Sequence, residues 1–164
     1  RSDPARAAGP AKSVRRPGLA VHDPMYLLDT NVLSELTKPR PDAEVTRRIY
    51  GTSQERLFAS EMSRYELRFG AQLKDSPNEI WSRVVELILP IPVWLPVGAE
   101  VASATGDLDA RLQREGKRIE LADVCIAATA LVFDLVLVTR NVRHFQGVPG
   151  LVLENWFPES GGRA

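Results

Sequence analysis

The chain has 164 residues and a mass of 18.2 kDa, a length typical of a single domain. Hydrophobic residues make up 44% and charged residues 26% of the sequence, which excludes a wholly disordered, collagen-like or coiled-coil chain. No apolar run approaches the roughly 20 residues that a membrane-spanning helix needs. With one cysteine and two histidines, an internal disulfide and a Cys/His zinc site are excluded, and a cytoplasmic location is expected.

Charge is unevenly distributed along the chain, although the formal net charge is zero. Residues 1–24 hold five basic and two acidic residues, and the remaining 140 hold 16 basic and 19 acidic residues. A slightly acidic body is not an obvious nucleic-acid binder. Such a function would need local basic patches, or metal ions that bridge carboxylates to phosphate.

The first 24 residues are rich in Pro, Gly and Ala and lack hydrophobic periodicity. We predict that they form a flexible extension that precedes the natural start at Met25, with a functional basic tail as the alternative. They lack the apolar core of about 7–15 residues that defines a signal peptide. A folded domain is expected over residues 25–157, followed by a disordered tail over residues 158–164.

Short apolar runs alternate with helical periodicity from Met25 onwards. The runs predict strands at residues 25–28, 57–59, 93–95, 135–138 and 151–153. The segments between them predict helices at residues 30–38, 42–49, 63–73, 78–89, 99–115 and 121–133. In the third of these helices, Tyr65, Phe69 and Leu73 form an apolar stripe at helical spacing. Strands separated by helices pair in parallel, so we expect a three-layer α/β fold.

Polar residues follow two of the predicted strands. Strand 25–28 runs into Asp29, and strand 135–138 runs into Thr139 and Asn141. Glu66 and Asp123 stand near the starts of two predicted helices. Because sites in open parallel sheets lie outside the carboxyl ends of the strands, these side chains are expected to converge. The resulting oxygen-rich pocket would suit Mg²⁺ or Mn²⁺, ions that activate water and stabilise charge on a phosphate.

Each of these residues also has a purely structural interpretation. Asp29 can cap the following helix, and Glu66 stands three residues after Ser63, at the spacing of a capping box. The helix dipole stabilises the negative charge of Asp123 in the first turn without any metal, and Asn141 is typical of a turn. A carboxylate in so apolar a helix needs a partner, which favours a ligand role for Asp123.

Other chemistry-bearing residues are predicted to be structural. Cys125 lies in an apolar helix with no nearby histidine and is expected in the core. His144 is interpreted as a loop or core histidine, with substrate contact as the alternative. A basic cluster is interpreted as a solvated helix face, with RNA contact as the alternative. It comprises Arg111, Arg114, Lys117 and Arg118.

Four ordered motifs carry a family resemblance. Residues 28–35, LDTNVLSE, resemble the opening motif of PIN-domain ribonucleases, specifically VapC-type toxins of toxin–antitoxin pairs. Residues 63–70 (SRYELRFG), 121–130 (LADVCIAATA) and 138–145 (VTRNVRHF) resemble the second, third and fourth motifs. The resemblance covers residues 25–156. Within this family, the chain is similar to the branch that includes plasmid-stability and FitB-like proteins.

This resemblance implies a PIN fold with a parallel sheet of four to five strands between helices. It implies a Mg²⁺- or Mn²⁺-dependent endoribonuclease, in which a metal-activated water hydrolyses the RNA phosphodiester. Carried over by motif, Asp29, Glu66 and Asp123 become catalytic metal ligands. Asn141 completes the catalytic set where many relatives have a fourth acid, and its neutral amide leaves open whether one or two metals bind.

Further roles are implied by the same resemblance. Thr30 and Thr139 would orient waters or carboxylates around the metal, and three arginines beside the motifs would receive phosphates of the RNA. These arginines are Arg68, Arg140 and Arg143. The implied partners are RNA, a second copy in a homodimer, and a VapB-type antitoxin that covers the active site with an arginine.

Two other functions stay open from the residues alone. A phosphatase with an aspartyl nucleophile also places Asp after the first strand, but it usually needs a second Asp where this chain has Asn31. A non-catalytic PIN-fold module, acting through dimerisation and antitoxin or RNA binding, is favoured by the amide of Asn141. RNA turnover with Mg²⁺ that EDTA abolishes distinguishes these functions.

Overall fold

The computed structural model describes residues 23–158. The expected flexible extension, except for its last two residues, and the expected tail from residue 159 onwards therefore lie outside the described residues. Across residues 23–158, no helix is long and apolar enough to cross a membrane.

Short strands alternate with helices along the described chain. The strands are β1 (Tyr26–Leu28), β2 (Leu57–Ser60), β3 (Val93–Leu95), β4 (Val136–Val138) and β5 (Leu153–Glu154). The α-helices are α1 (Thr30–Leu33), α2 (Ala43–Gly51), α3 (Glu61–Gln72), α4 (Pro77–Leu87), α5 (Ala99–Arg114), α6 (Leu121–Val132) and α7 (Val142–Phe145). Two 3₁₀ turns, Ser34–Thr37 and Gln54–Arg56, precede α2 and β2.

The strands form one parallel sheet in the order β3-β2-β1-β4-β5. The chain builds outward from β1 to β3 and then crosses back to β4, so the order reverses between β1 and β4. Leu28 and Val138, the last residues of these two strands, are register partners. A crevice at the carboxyl ends of the strands is expected at such a reversal, and it places residues 29 and 139 side by side.

Helices cover both faces of the sheet, as the predicted three-layer α/β/α fold requires. Leu27 and Leu28 are both fully buried but belong to two different core clusters, because successive side chains of a strand point to opposite faces. The cluster around Leu28 includes Val32 and Val45 from α1 and α2, while the cluster around Leu27 includes Ile126 from α6. Burial on both faces explains why the strands read as continuous apolar runs.

The third helix presents a different face to the core than the apolar stripe indicates. Tyr65, Phe69 and Leu73 are 57%, 53% and 69% exposed, while Ser63, Leu67 and Ala71 form the buried face. The rings of Tyr65 and Phe69 stack on each other with centroids 5.9 Å apart. Helical periodicity identifies a shared face but not its neighbour, so the stripe is a surface feature of this chain.

Smaller differences concern the end of the chain. The last strand lies at Leu153–Glu154 rather than at residues 151–153, and a short helix, Val142–Phe145, follows β4 where the sequence predicted no element. Cys125 is buried in the core, as predicted.

Candidate active site

An open pocket of about 330 Å³ lies at the carboxyl ends of β1 and β4. It contains all four residues predicted to be catalytic. Of its five other residues, Thr30 was predicted to orient groups around the metal, and the remaining four were not among the predicted site residues. Its lining residues are Asp29, Thr30, Asn31, Ser34, Glu66, Asp123, Asn141, His144 and Phe145. The strand reversal therefore collects side chains from four distant segments of the sequence in one place.

Asp29 is the most deeply buried carboxylate of the pocket, at 3% exposure. It follows β1 directly and caps α1, because its Oδ1 accepts a hydrogen bond from the backbone N–H of Thr30 at 2.7 Å. Its Oδ2 accepts from the hydroxyl of Thr139 at 2.7 Å and from the side-chain amide of Asn31 at 2.9 Å. The capping interpretation is thus correct, but capping engages only one of the two oxygens.

Glu66 lies in the second turn of α3 and does not form a capping box with Ser63. The N-cap of α3 is Ser60, whose Oγ accepts a hydrogen bond from the N–H of Met62 at 3.1 Å. Instead, Glu66 Oε2 accepts from the hydroxyl of Thr30 at 2.5 Å. Thr30 therefore connects the helix after β1 to the helix after β2 through a carboxylate.

Asp123 lies in the first turn of α6 and faces a histidine. Its Oδ2 is 3.1 Å from Nδ1 of His144 on α7, and both residues line the pocket. The sequence interpretation of His144 as a loop or core residue is wrong, since its side chain stands beside a carboxylate of the site. The missed signal was its position three residues after Asn141, which is one helical turn of α7.

A network of neutral groups links the residues that follow β1 to those that follow β4. The hydroxyl of Thr139 accepts hydrogen bonds from the backbone N–H of Asn141 at 3.0 Å and from the amide of Asn31 at 3.3 Å. Asn31 Oδ1 accepts from the backbone N–H of Arg140 at 3.1 Å. Asn31 thus bonds to both strand ends, a role that its position two residues after Asp29 did not reveal.

The three carboxylates of the pocket raise one another's pKa values. Burial raises the pKa of Asp29, and the charge of Asp123 raises it further, while hydrogen bonds from Thr139, Thr30 and Asn31 lower it. Burial and then Asp29 raise the pKa of Glu66, against the bond from Thr30. Burial also raises the pKa of Asp123, with Glu66 and Glu120 adding to it and His144 opposing it. In the folded protein, ionisation of these three carboxyl groups is therefore less favourable than it is in water.

Among residues 23–158, no lysine or arginine belongs to the lining of this pocket. Glu35 shows the contrast, because this buried glutamate pairs with Lys38 at 2.5 Å and accepts a hydrogen bond from the backbone N–H of Asp42 at 2.9 Å. A buried carboxylate normally has such a partner. A bound cation would therefore supply the counter-charge that the carboxylates of the pocket lack among the described residues.

The donor set of the pocket fits a hard divalent cation. Asp29, Glu66 and Asp123 supply carboxylate oxygens, and Asn141 supplies an amide, which are the ligand types that Mg²⁺ prefers. As the side chains stand, however, no group of three or more His, Cys, Asp and Glu residues within 23–158 forms a ready-made metal cluster. The assignment of these residues as ligands therefore stays a prediction.

The predicted RNA contacts are placed outside the pocket. Arg68 packs its guanidinium over the ring of Trp81 at 4.9 Å, and Arg140 packs over Phe157 at 4.7 Å. Arg143 follows Asn141 on α7 but does not line the pocket either. A role for these three arginines in binding phosphates stays a prediction.

Comparisons with known proteins agree with this fold. The model of the PIN domain family matches residues 26–151. The chain is 32% identical over 131 residues to the tRNA(fMet)-specific endonuclease VapC of Shigella flexneri, covering 80% of this chain and 97% of that relative. It is 32% identical over 137 residues to toxin FitB of Neisseria gonorrhoeae, covering 80% of this chain and 99% of the relative.

A solved structure extends the agreement to three dimensions. The chain superimposes on a crystal structure of DNA-bound VapBC from Salmonella typhimurium with a TM-score of 0.72 and 29% identity. The superposition covers 82% of this chain and 99% of that chain. The parallel sheet, the carboxylate pocket at its strand reversal and these matches together show that the chain belongs to the PIN domain family.

Proposed function

We propose that this protein is a divalent-metal-dependent endoribonuclease whose active site is the carboxylate pocket. The observation that carries the proposal is the grouping of three buried or half-buried carboxylates in a pocket that no lysine or arginine of the described part of the chain lines. Several relatives that cover most of the chain bear ribonuclease or endonuclease names, among them VapC of Shigella flexneri. Hydrolysis of an RNA phosphodiester is the reaction that matches both.

Mg²⁺ is the proposed ion, and Asp29, Glu66 and Asp123 would hold it. When bound, the ion supplies an activated water and neutralises the charge that develops on the phosphate. The neutral residues would keep the carboxylates in place, since Thr139 bonds to Asp29 and Thr30 bonds to Glu66. Asn141 brings no charge, so it would orient a water or a phosphate oxygen by hydrogen bonding.

The test is cleavage of an unpaired RNA by the purified full chain. With Mg²⁺ we expect cleavage products that carry a 5′-phosphate and a 3′-hydroxyl, and with EDTA we expect none. Glu66→Gln removes one proposed ligand and is expected to abolish cleavage. Glu61→Gln is the matched control, because this residue lies on the same helix and pairs with Arg64 outside the pocket. Equal activity of the two variants would refute the assignment.

A non-catalytic binding module is the second candidate, and the neutral Asn141 is the observation that favours it. Such a protein would bind RNA with Mg²⁺ but leave it intact. Asn141→Asp separates the two functions, since it adds the fourth acid without other change. A gain of cleavage from an inactive parent would support the binding module, whereas an active parent excludes it.

We also propose that a VapB-type antitoxin neutralises this protein and that the active form is a homodimer. One relative is named a toxin, and one similar structure is a VapBC complex. An arginine of the antitoxin would suit the pocket, because its planar guanidinium pairs with carboxylates that hold no metal. Adding the product of the neighbouring gene at a stoichiometric ratio should stop cleavage, and light scattering should report two copies of the chain.

A further inference from the structure

A second groove, of about 350 Å³, lies beside the carboxylate pocket. His144 lines both, so the two cavities adjoin at this residue. The walls of the groove come from the end of α5, the connection that follows it and the first residue of α6. If a phosphodiester of an RNA strand occupied the carboxylate pocket, an adjacent nucleotide of that RNA would therefore lie at this groove.

The groove offers both kinds of hydrogen-bonding group. Arg118 and Gln113 are donors, and Asp109 and Glu120 are acceptors. The side-chain amide of Gln113 donates to Asp109 Oδ1 at 3.2 Å, which holds two of these groups together on α5. A phosphate would meet two carboxylates here, so the lining suits a neutral ligand that carries both donors and acceptors.

One side of the groove is apolar. Leu121, the first residue of α6, is 61% exposed although it lies next to the well-packed core of that helix. Ile119 also lines the groove and packs against the core cluster around Leu27. A flat heteroaromatic ring with polar edges matches such a mixture of apolar and hydrogen-bonding surface better than an ion does.

The basic cluster on the α5–α6 connection is divided by its ion pairs. Arg111 Nε lies 3.0 Å from one oxygen of Glu115, and Lys117 Nζ lies 2.9 Å from the other. Arg118 lines the groove instead, and within residues 23–158 it takes part in no ion pair with a carboxylate. Of this cluster, Arg118 is thus the residue placed to contact a ligand.

We propose that this groove binds an unpaired nucleobase of the RNA next to the scissile phosphodiester, with Arg118 and Glu120 contacting its edge. The proposal rests on the function proposed above. Proteins recognise single-stranded RNA by hydrogen bonds to the edges of splayed-out bases. Guanine is the expected ligand because its O6 and N7 form a pair of acceptors for a guanidinium, while its N1–H and N2 amino group donate to a carboxylate.

The first test is the sequencing of cleavage sites in an RNA pool of random sequence. The parent should prefer guanine at one position beside the cut. Arg118→Ala and Glu120→Gln should reduce that preference by about tenfold, as expected for the loss of a base contact. Arg114→Ala is the matched control, since it removes the same charge from the last turn of α5 but lies outside the groove. Cleavage without a base preference, or a preference that Arg118→Ala leaves intact, would overturn the proposal.

The second test separates this proposal from the proposed ribonuclease activity. Titration of the full chain with 5′-GMP, followed by NMR, should shift the methyl signals of Leu121 and the side-chain amide of Gln113. 5′-AMP should shift them less, and Glu120→Gln should weaken the response to GMP at least fivefold. Binding of GMP by a chain that cleaves no RNA would retain the groove and refute the ribonuclease. Absence of these shifts in a chain that cleaves RNA would refute the groove alone.

Discussion

The hydroxyl of Thr139 donates a hydrogen bond to Asp29 Oδ2 at 2.7 Å, although the two residues are 110 positions apart in the sequence. Both are buried, and each follows directly on one of the two strands between which the order of the sheet reverses. The bond is therefore a direct product of the pairing of β1 with β4. It holds the central carboxylate of the proposed metal site in one orientation.

Thr139→Val should lower both the stability and the activity of the protein. The substitution retains the shape of the side chain but leaves Asp29 with one bond fewer and the N–H of Asn141 without its acceptor. We expect a loss of about 1–3 kcal/mol in the free energy of unfolding, measured by urea denaturation. Thr105→Val is the control, because this buried hydroxyl donates to the carbonyl of Val101 in its own helix and lies outside the carboxylate pocket. If both variants cleave RNA equally, Thr139 has no part in positioning Asp29.

Asp29→Asn should abolish RNA cleavage while the fold remains intact. Asparagine caps a helix as well as aspartate does. The amide also removes the buried negative charge of Asp29, a carboxyl group whose pKa burial raises. In exchange, the amide nitrogen replaces Oδ2, and the two hydrogen bonds that Oδ2 accepts from Thr139 and Asn31 are lost. The two effects oppose each other, so the metal-free stability should stay within about 1 kcal/mol of the parent.

Cleavage assays and melting curves in EDTA measure these two effects separately. A fully active Asp29→Asn protein would show that Asp29 is only a helix cap. A protein that is both inactive and unfolded would show that the aspartate is needed for folding. The ligand assignment would then rest on Glu66 and Asp123 alone.

Mg²⁺ should raise the melting temperature of the parent more than that of Asp29→Asn. An ion that binds only the folded state at 100 times its dissociation constant adds about 2.7 kcal/mol to the free energy of unfolding. NaCl at equal ionic strength is the control, because it screens the carboxylates without filling a site. The same Mg²⁺-dependent shift in both proteins would place the ion elsewhere on the molecule.

In EDTA, the stability of the parent should rise as the pH falls from 7 towards 4.5. Asp29, Glu66 and Asp123 have pKa values raised above the ordinary 3.8 for aspartate and 4.5 for glutamate. In this window the folded state binds more protons than the unfolded state, so the free energy of unfolding increases on acidification.

Groups with the opposite shift do not interfere in that range. The pKa of Glu44 is lowered to about 2 by Arg47 and Arg48, so its contribution is lost only below its ordinary value of 4.5. Urea denaturation at several pH values measures the trend, and Asp29→Asn should make it shallower. A steady loss of stability from pH 7 to 4.5 would contradict mutual repulsion in the pocket.

Removal of residues 1–22 should leave the melting temperature unchanged, as we propose for a segment outside the folded domain. Removal of residues 1–24 should lower it slightly, because the guanidinium of Arg56 donates to the carbonyl of Pro24 at 2.9 and 3.1 Å. Calorimetry of the two truncated chains measures the difference. A large loss in the shorter truncation would assign the basic segment a structural role.

The local pattern of the sequence was enough to predict the fold class. Strands buried on both faces must be apolar throughout, and the helices between them need caps and breakers, so the succession of elements along the chain can be predicted locally. The motif order likewise identified Asp29, Glu66, Asp123 and Asn141 as one candidate set, and all four line one pocket.

Only the tertiary structure decided which side chains meet around these residues. The order of strands in the sheet depends on pairing between distant segments, and the pairing of β4 with β1 brings Thr139 to Asp29. The packing of α7 against α6 likewise places His144 beside Asp123. The same limit explains the exposed stripe on α3, because periodicity defines a face of a helix but not what covers it. Contacts between segments a hundred residues apart arise from packing as a whole, which no local pattern contains.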